Sequence, residues 1–472
     1  MVAIAKAVPV LESINPATEE VLAVFPTTSP QQIEQTLQST LKAFRHWRDQ
    51  SFDYRADLLR QAAAYLRSNQ ERLASLITLE MGKPIAEAEA EVDKSAWVLD
   101  YYADRAAEFL NAQPHPSGAA ESYVSFQPIG TVLAIMPWNF PFWQLFRAAA
   151  PALMAGNTVI LKHASNVPQS ALAIEELFRA SGFPEGTLRT LLISGSTAQA
   201  LIADPGIAAV TFTGSEAAGR QVAAAAGAAL KKSVLELGGS DPFIVLADAD
   251  LKQAAQVGAR ARTINSGQTC IAAKRFIVLE SVAEAFLEQF AEAITALKLG
   301  NPMDRSTQVG PLARPDLVQT LDRQVRITLE QGAHLMLRGS PLPRYGFFYA
   351  PTVLAGITRE MPVYREETFG PVAAILTVRN ENEAIAVAND TQYGLGAAIW
   401  SQDLDRAKAL ASQVEAGFVA INGMVSADPH LPFGGVKNSG YGRELSEYGI
   451  REFTNIQSIW VGPPIAPSPP KK

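Results

Sequence analysis

A single cysteine, Cys270, stands in a chain of 472 residues. One thiol cannot close an internal disulfide, so the fold is expected to stand without covalent staples, which fits a reducing, cytoplasmic setting. Histidine is also scarce: His46, His115, His163, His334 and His430 are the full set, and none sits where a cysteine-protease pair would place it. No metal centre is expected. Charge of one sign is missing as a block, because 40 Lys and Arg are spread among 47 acids for a net charge of −7. That excludes the clustered basic face that nucleic acid requires. A clean membrane span is missing too. The uncharged run over 122–146 carries Pro128, Pro137, Pro141, Gln127, Asn139 and Gln144, and reads as buried strand and loop. The opening MVAIAKAVPVLESINPATEE is broken by Lys6 and Pro9, which makes a poor secretory signal, so no export is expected.

What is present is length, enough for two or three domains, and 48% hydrophobic residues to fill their cores. After a short N-terminal β segment, the composition and spacing over 31–50, 54–81 and 86–110 predict helices. From Gly130 the pattern changes to short apolar runs, TVLAIMP, NTVILKH, TLLIS, AAVTFTG and DPFIVLA, separated by Ala-rich helical stretches. Such alternation predicts βα units on a parallel sheet. A second series follows Cys270: RFIVLE, a helix over 282–297, VAAILTV and GAAIWS. The fold class is therefore α/β, with two parallel-sheet, Rossmann-like lobes and a cleft between them, and ligands are expected outside the carboxyl ends of the strands. No internal repeat of fixed period is visible.

Three side chains are candidates for chemistry. Cys270, in NSGQTC, is either a buried inert thiol or a nucleophile presented on a turn of small and polar residues. Glu236, in VLELGGSDP, ends an apolar strand before two glycines, where a carboxylate serves as a base or as a cap. Asn139, in MPWNFPFW, is flanked by Trp138, Phe140 and two prolines, and is either a preorganised oxyanion donor or the closing residue of a turn.

PWNFP, FTGS, ELGGSDP, GQTC, EETFGP and PFGGVKNSG occur in that order, with INPATEE near the N-terminus, and the set resembles the aldehyde dehydrogenase superfamily over roughly residues 14 to 460. The separation of 34 residues between Glu236 and Cys270 also matches. The resemblance implies that Cys270 attacks the aldehyde carbon, that Asn139 and the Cys270 backbone amide hold the oxyanion, and that Glu236 activates water against the resulting thioester. It implies a cofactor-binding domain of residues 1–116 and 131–235, a catalytic domain of 236–444, a small β oligomerisation flap of 117–130 and 445–463, and a flexible proline-rich tail of 464–472. A homodimer or homotetramer follows from the flap.

No GxGxxG follows a strand. The resemblance places the pyrophosphate instead at FTGSEAAGR, on Gly214, Ser215 and the helix they open, with Trp138, Glu367 and Phe369 around the nicotinamide and its ribose. In LKHASN, Ser165 stands where members using NAD commonly carry glutamate. With Lys162 it accommodates a 2′-phosphate, so NADP is the expected cofactor and NAD a poorer one. Arg147 stands where the family often has an aromatic residue lining the aldehyde site, and succinate-semialdehyde dehydrogenases are similar in having arginine there. The expected small-molecule substrate is therefore a short carboxylated aldehyde, with Phe140, Trp143 and Phe433 as apolar walls and Ser426 as a further contact; the other reading pairs Arg147 with an internal acid. Neutral aldehydes such as lactaldehyde, a non-catalytic scaffold, and an esterase side activity are the rivals. Ile264 occupies the position where many succinate-semialdehyde dehydrogenases carry a second arginine, and Arg262 lies two residues before it.

Overall fold

The computed structural model describes residues 9–339 and 343–462. The expected tail at 464–472, residues 1–8 of the cofactor-binding domain and residue 463 lie outside them.

The strands Val10–Ile14 and Val21–Pro26 pair antiparallel at the start, as the expected N-terminal β segment, and helices follow much as their spacing predicts. The first, Pro30–Trp47, starts with proline in its first turn behind a Ser29/Gln32 capping box, which satisfies otherwise orphaned amides. The single helix expected over 54–81 is two, Phe52–Ser68 and Gln70–Met81. Asn69 breaks it, because its side-chain amide donates to Tyr65 O at 2.9 Å and competes with the helical ladder. A long helix, Ile85–Phe109, follows and packs on the second of these.

Two sheets carry the lobes. The first has the strand order Gly440–Tyr441, Lys232–Glu236, Ala209–Thr213, Thr131–Met136, Thr158–His163, Leu188–Thr190; all neighbours are parallel except the first pair. Thr131–Met136 is buried at every position, as a central strand covered by helices on both faces must be. The run TLLIS is only marginally strand: the element covers Leu188–Thr190, and Leu192 leaves the sheet to donate to Thr28 Oγ1 at 2.9 Å and accept from Thr28 N at 2.8 Å. The second sheet runs His334–Arg338, Thr352–Ala355, Val372–Val378, Ala273–Leu279, Asp241–Val245, Gly396–Trp400, Phe418–Ile421, antiparallel only at its first pair.

Glu121–Pro128 and Thr454–Val461 pair antiparallel over eight residues, with Gln113–Pro114 beside them, as a third, small sheet. Its edge strand begins at Thr454, because residues 446–452 form a helix held under Tyr102, whose hydroxyl donates to Ser446 O at 3.0 Å. Gly440–Tyr441, far along the chain, closes the edge of the first sheet.

One topological expectation is half right. The chain leaves the carboxyl end of Lys232–Glu236 and enters the amino end of Asp241–Val245 after four residues, so the sheets meet tail to head. The first sheet presents carboxyl ends to the junction, and the second presents amino ends. Among the described residues no helix is long and apolar enough to cross a membrane.

Candidate active site

Trp138 and Asn139 follow directly from the central strand Thr131–Met136, and Glu236 is the last residue of Lys232–Glu236. The turn after Asn139 is pinned from below. Glu91, on the helix Ile85–Phe109, accepts the amides of Phe142 at 2.8 Å and Trp143 at 3.1 Å and pairs with buried Lys83. Lys83 Nζ lies 3.7 Å over the Phe140 ring. That carboxylate caps the helix Trp143–Met154, whose own sequence offers no cap.

Cys270 comes from the other lobe, in the loop between the helix Leu251–Thr263 and the strand Ala273–Leu279. The loop starts in a costly conformation: Asn265 (φ 55°) and Ser266 (φ 55°) are both left-handed. Hydrogen bonds on all sides hold it there. Asn265 N donates to Glu87 Oε2 at 2.7 Å, and Ser266 Oγ donates to Gly310 O at 3.0 Å. Arg262 Nη2 donates to Gly267 O at 2.7 Å. A Cβ at Gly267, whose φ is +78°, would run into the backbone of Gly370.

These contacts join the two lobes at the reacting centre. Asn265 Nδ2 donates to Asn139 O at 2.7 Å, and Asn139 Nδ2 donates to Gln268 O at 3.0 Å. The Asn139 amide is thus oriented toward the Cys270 loop with one N–H left to give. Lys274 Nζ donates to Cys270 O at 2.6 Å and Thr269 O at 3.1 Å, and sits 3.4 Å from Glu367 Oε1. Burial pushes the Cys270 thiol up to about 12, against the pull of the Arg147 and Lys274 cations, although part of its surface is open.

Glu236 is 2% exposed, and neither of its carboxylate oxygens has a hydrogen-bond partner among the described residues. Burial first, and the charge of Glu444 second, hold it well above the usual carboxylate range. A carboxyl group held protonated and unpartnered in a site with a thiol is a candidate for proton transfer. The adjacent glycines leave it room: a Cβ at Gly434 would lie 2.7 Å from Glu236 Oε1.

Of the two partners the sequence leaves open for Arg147, the internal acid is present: the guanidinium is ion-paired with buried Glu444 and lies 4.7 Å over the Phe433 ring. The internal acid is required because an unpaired guanidinium at 2% exposure would be prohibitively desolvated. Among the described residues Arg147 Nε, which faces Glu444, and Nη2 make no hydrogen bond. Trp143, one helical turn before Arg147, and Phe433 are buried, Phe140 is half-buried and Ser426 is exposed. Arg262 is committed to backbone carbonyls, and Ile264 lines a separate cavity of about 780 Å³ with Glu87, Arg260 and Leu297 that contains none of Cys270, Glu236 or Asn139.

The remaining residues lie around the first sheet's carboxyl ends. Lys162 is the penultimate residue of its strand, makes no ion pair among the described residues, and is pushed down by burial. Ser165 is exposed just beyond, and both polar atoms of neighbouring Asn166 are buried without partners among the described residues, an arrangement suited to a bound polar group. Gly214 and Ser215 open the helix Glu216–Ala228, with Ser215 as its N-cap. Phe369 meets Trp138 edge to face at 5.8 Å. Glu367, expected at a ribose, here accepts Gly239 N at 3.1 Å as well as facing Lys274. Sequence reasoning missed Glu444, Lys274, Asn265 and Glu91. Glu444 follows PFGGVKNSG by only a few residues, but no spacing marks it as the partner of a residue almost three hundred positions earlier.

The sequence pattern of the Aldehyde dehydrogenase family matches residues 4–459. The chain is 50% identical over 451 residues to a probable NADP-dependent succinate-semialdehyde dehydrogenase of Synechocystis sp., covering 96% of this chain and 99% of that one. It is 49% identical over 448 residues to an NAD(P)-dependent succinate semialdehyde dehydrogenase of Escherichia coli, covering 95% and 97%. The structure of succinic semialdehyde dehydrogenase from Streptococcus pyogenes in complex with NADP superposes with a TM-score of 0.94 at 40% identity, covering 96% of this chain and 100% of that one. With a tail-to-head pair of parallel-sheet lobes bringing a lone cysteine, an asparagine amide and a dry glutamate together, and with relatives matched nearly end to end, the chain belongs to the aldehyde dehydrogenase family.

Proposed function

We propose that this protein oxidises succinic semialdehyde to succinate through a thioester on Cys270, with NADP as the preferred cofactor and NAD as a poorer one. The observation that carries the chemistry is the convergence of Cys270, the Asn139 amide and unpartnered Glu236 from three separate segments. The relatives named for succinate-semialdehyde oxidation, together with the spare Nη2 donor of Arg147, support the substrate.

Cys270 Sγ, as thiolate, forms a bond to the aldehyde carbon while the carbonyl electron pair moves to oxygen. The second Asn139 N–H and the Cys270 backbone N–H hold that oxyanion. A nicotinamide bound beside Trp138 and Phe369 would supply the two-electron (hydride) acceptor for this oxidation. A thioester then remains on Cys270. Glu236 takes a proton from water, oxygen bonds to the acyl carbon, and the C–S bond breaks to return the thiolate.

The cofactor reading rests on chemistry at one strand end. Lys162, without an ion pair among the described residues, Ser165 in place of a carboxylate and the orphaned polar atoms of Asn166 suit a 2′-phosphate, and the first turn of Glu216–Ala228 suits the pyrophosphate. Trp138 and Phe369 would bound the nicotinamide.

Residues 1–116 and 131–235 are assigned to hold the cofactor, 236–444 to carry catalysis, and the flap of 117–130 and 445–463 to mediate a homodimer or homotetramer; Gly440–Tyr441, from the catalytic span, pairs into the first sheet. Its edge strand leaves Ile456 59% and Trp460 62% exposed, an apolar row suited to extending a partner's sheet.

The test is NADPH formation with succinic semialdehyde and with butyraldehyde. Strong preference for the first, abolished in both cases by Cys270→Ala with NADP binding retained, is the expected result. Equal use of the two aldehydes overturns the substrate assignment, and turnover by Cys270→Ala overturns the mechanism.

A further inference from the structure

Building on that substrate reading, we propose that Lys94, seated on the Trp143 ring, is the second cation that reads the substrate carboxylate beside Arg147.

The helix Ile85–Phe109 places Glu91 and Lys94 three residues apart, on one face. Glu91 uses that face to cap the turn at Phe142 and Trp143. Lys94 uses it to set its ammonium 4.4 Å from the Trp143 ring centroid. Arg147 lies four residues after Trp143 on the helix Trp143–Met154, so it shares the face that Trp143 presents. Lys94 therefore lies on the indole, and Arg147 follows one helical turn later with its guanidinium over the Phe433 ring. The two cations are close enough for the Arg147 charge to depress Lys94, after burial, to about 8.

Every nearby carboxylate is already engaged. Glu91 pairs with Lys83, Glu444 with Arg147, and Asp428 accepts both His430 N at 2.9 Å and His430 Nδ1 at 2.7 Å. Lys94 itself makes no ion pair or hydrogen bond among the described residues, although it is half-buried. Burial and the Arg147 charge outweigh the pull of Asp428 and Glu91 on this ammonium, an unfavourable arrangement that an incoming anion relieves. Arg147 Nε faces Glu444, which leaves Nη2 as the buried donor of that group without an acceptor among the described residues. A carboxylate at the end of a short aldehyde meets the Nη2 donor and the Lys94 ammonium together. Its other end reaches toward Cys270, which is close enough to feel the Arg147 charge. The position at Ile264, where the sequence lacks a second arginine, is thereby replaced from a different helix.

The experiment compares kcat/KM for succinic semialdehyde and butyraldehyde in the full-length enzyme with NADP, in wild type, Lys94→Met and Lys94→Arg. Methionine keeps the aliphatic length and deletes the charge. The ratio of the two kcat/KM values is expected to fall roughly tenfold in Lys94→Met, through KM for succinic semialdehyde, and to recover in Lys94→Arg. A ratio unchanged in Lys94→Met, where wild type prefers succinic semialdehyde, overturns the role of Lys94 and leaves the substrate reading standing. A wild-type ratio near one overturns the substrate reading itself. Equal loss on both aldehydes in Lys94→Met assigns Lys94 to folding of the turn and also overturns the proposal.

Discussion

Replacing Arg147 by alanine does two things, and the structure separates them. The arginine side chain is 2% exposed and its partner Glu444 4% exposed, so Arg147→Ala strands a buried carboxylate. Breaking a buried pair from one side costs about 3–5 kcal/mol. Protonation of the stranded acid limits that cost, since each pKa unit is worth about 1.4 kcal/mol. Burial already raises Glu444, and Arg147 is the largest force lowering it. In the variant, its folded-state pKa therefore rises further above the unfolded value. A carboxyl group raised in this way stabilises the fold while protonated and loses that contribution as pH climbs above the unfolded value toward the folded one. The deficit of Arg147→Ala should accordingly be small near pH 5 and large near pH 8. A loss of about 3 kcal/mol corresponds to a Tm drop on the order of 6–12 °C in a lobe of this size. The double variant Arg147→Ala, Glu444→Gln carries no stranded charge and should recover most of the drop at pH 8. Thermal melts of the three proteins at the two pH values decide it. A deficit equal at both pH values, or a double variant no more stable than the single one, refutes the pairing argument. The same double variant, rather than Arg147→Ala alone, is the proper background for asking what the arginine does to substrate preference.

Glu236→Gln should give a burst of NADPH followed by slow turnover, because acylation proceeds and the thioester waits for water. Wild-type steady turnover should climb with pH through the raised Glu236 titration, and this climb should vanish in the variant; rapid-quench and pH-rate measurements check both, and multiple turnover at the wild-type rate refutes the base. Ser165→Glu places a carboxylate beside Lys162, where a 2′-phosphate is proposed to bind. KM for NADP should rise roughly 10–100-fold while NAD improves, and unchanged initial-rate kinetics with both cofactors would remove Ser165 from the cofactor site.

Much of this protein is legible in its residue order. The alternation of apolar runs with Ala-rich stretches determines the strands and helices of both lobes, because a parallel strand buried on both faces must be apolar throughout. Where a local side chain competes with the ladder, as at Asn69, or where another segment captures the chain, as Thr28 does at Leu192, the element boundaries move. Cys270, Glu236 and Asn139 are likewise readable as candidates, each from a short motif of small, apolar and rigid neighbours.

Their relation to one another is a tertiary property. Only the tail-to-head meeting of the two sheets sets the Asn139 amide toward the Cys270 loop. Only the packed loop keeps Asn265 and Ser266 left-handed against their own preference. The charge balance of the site was hidden for the same reason. Arg147 looks like an unmatched cation in the chain because Glu444 lies almost three hundred residues away, and Lys94 looks like an ordinary helix-surface lysine because Trp143 and Arg147 come from another helix. Sequence specifies which groups are present and which local conformations they favour. Burial and pairing, which decide what charge each group carries and which cation is left to meet a substrate, arise when distant segments exclude water together.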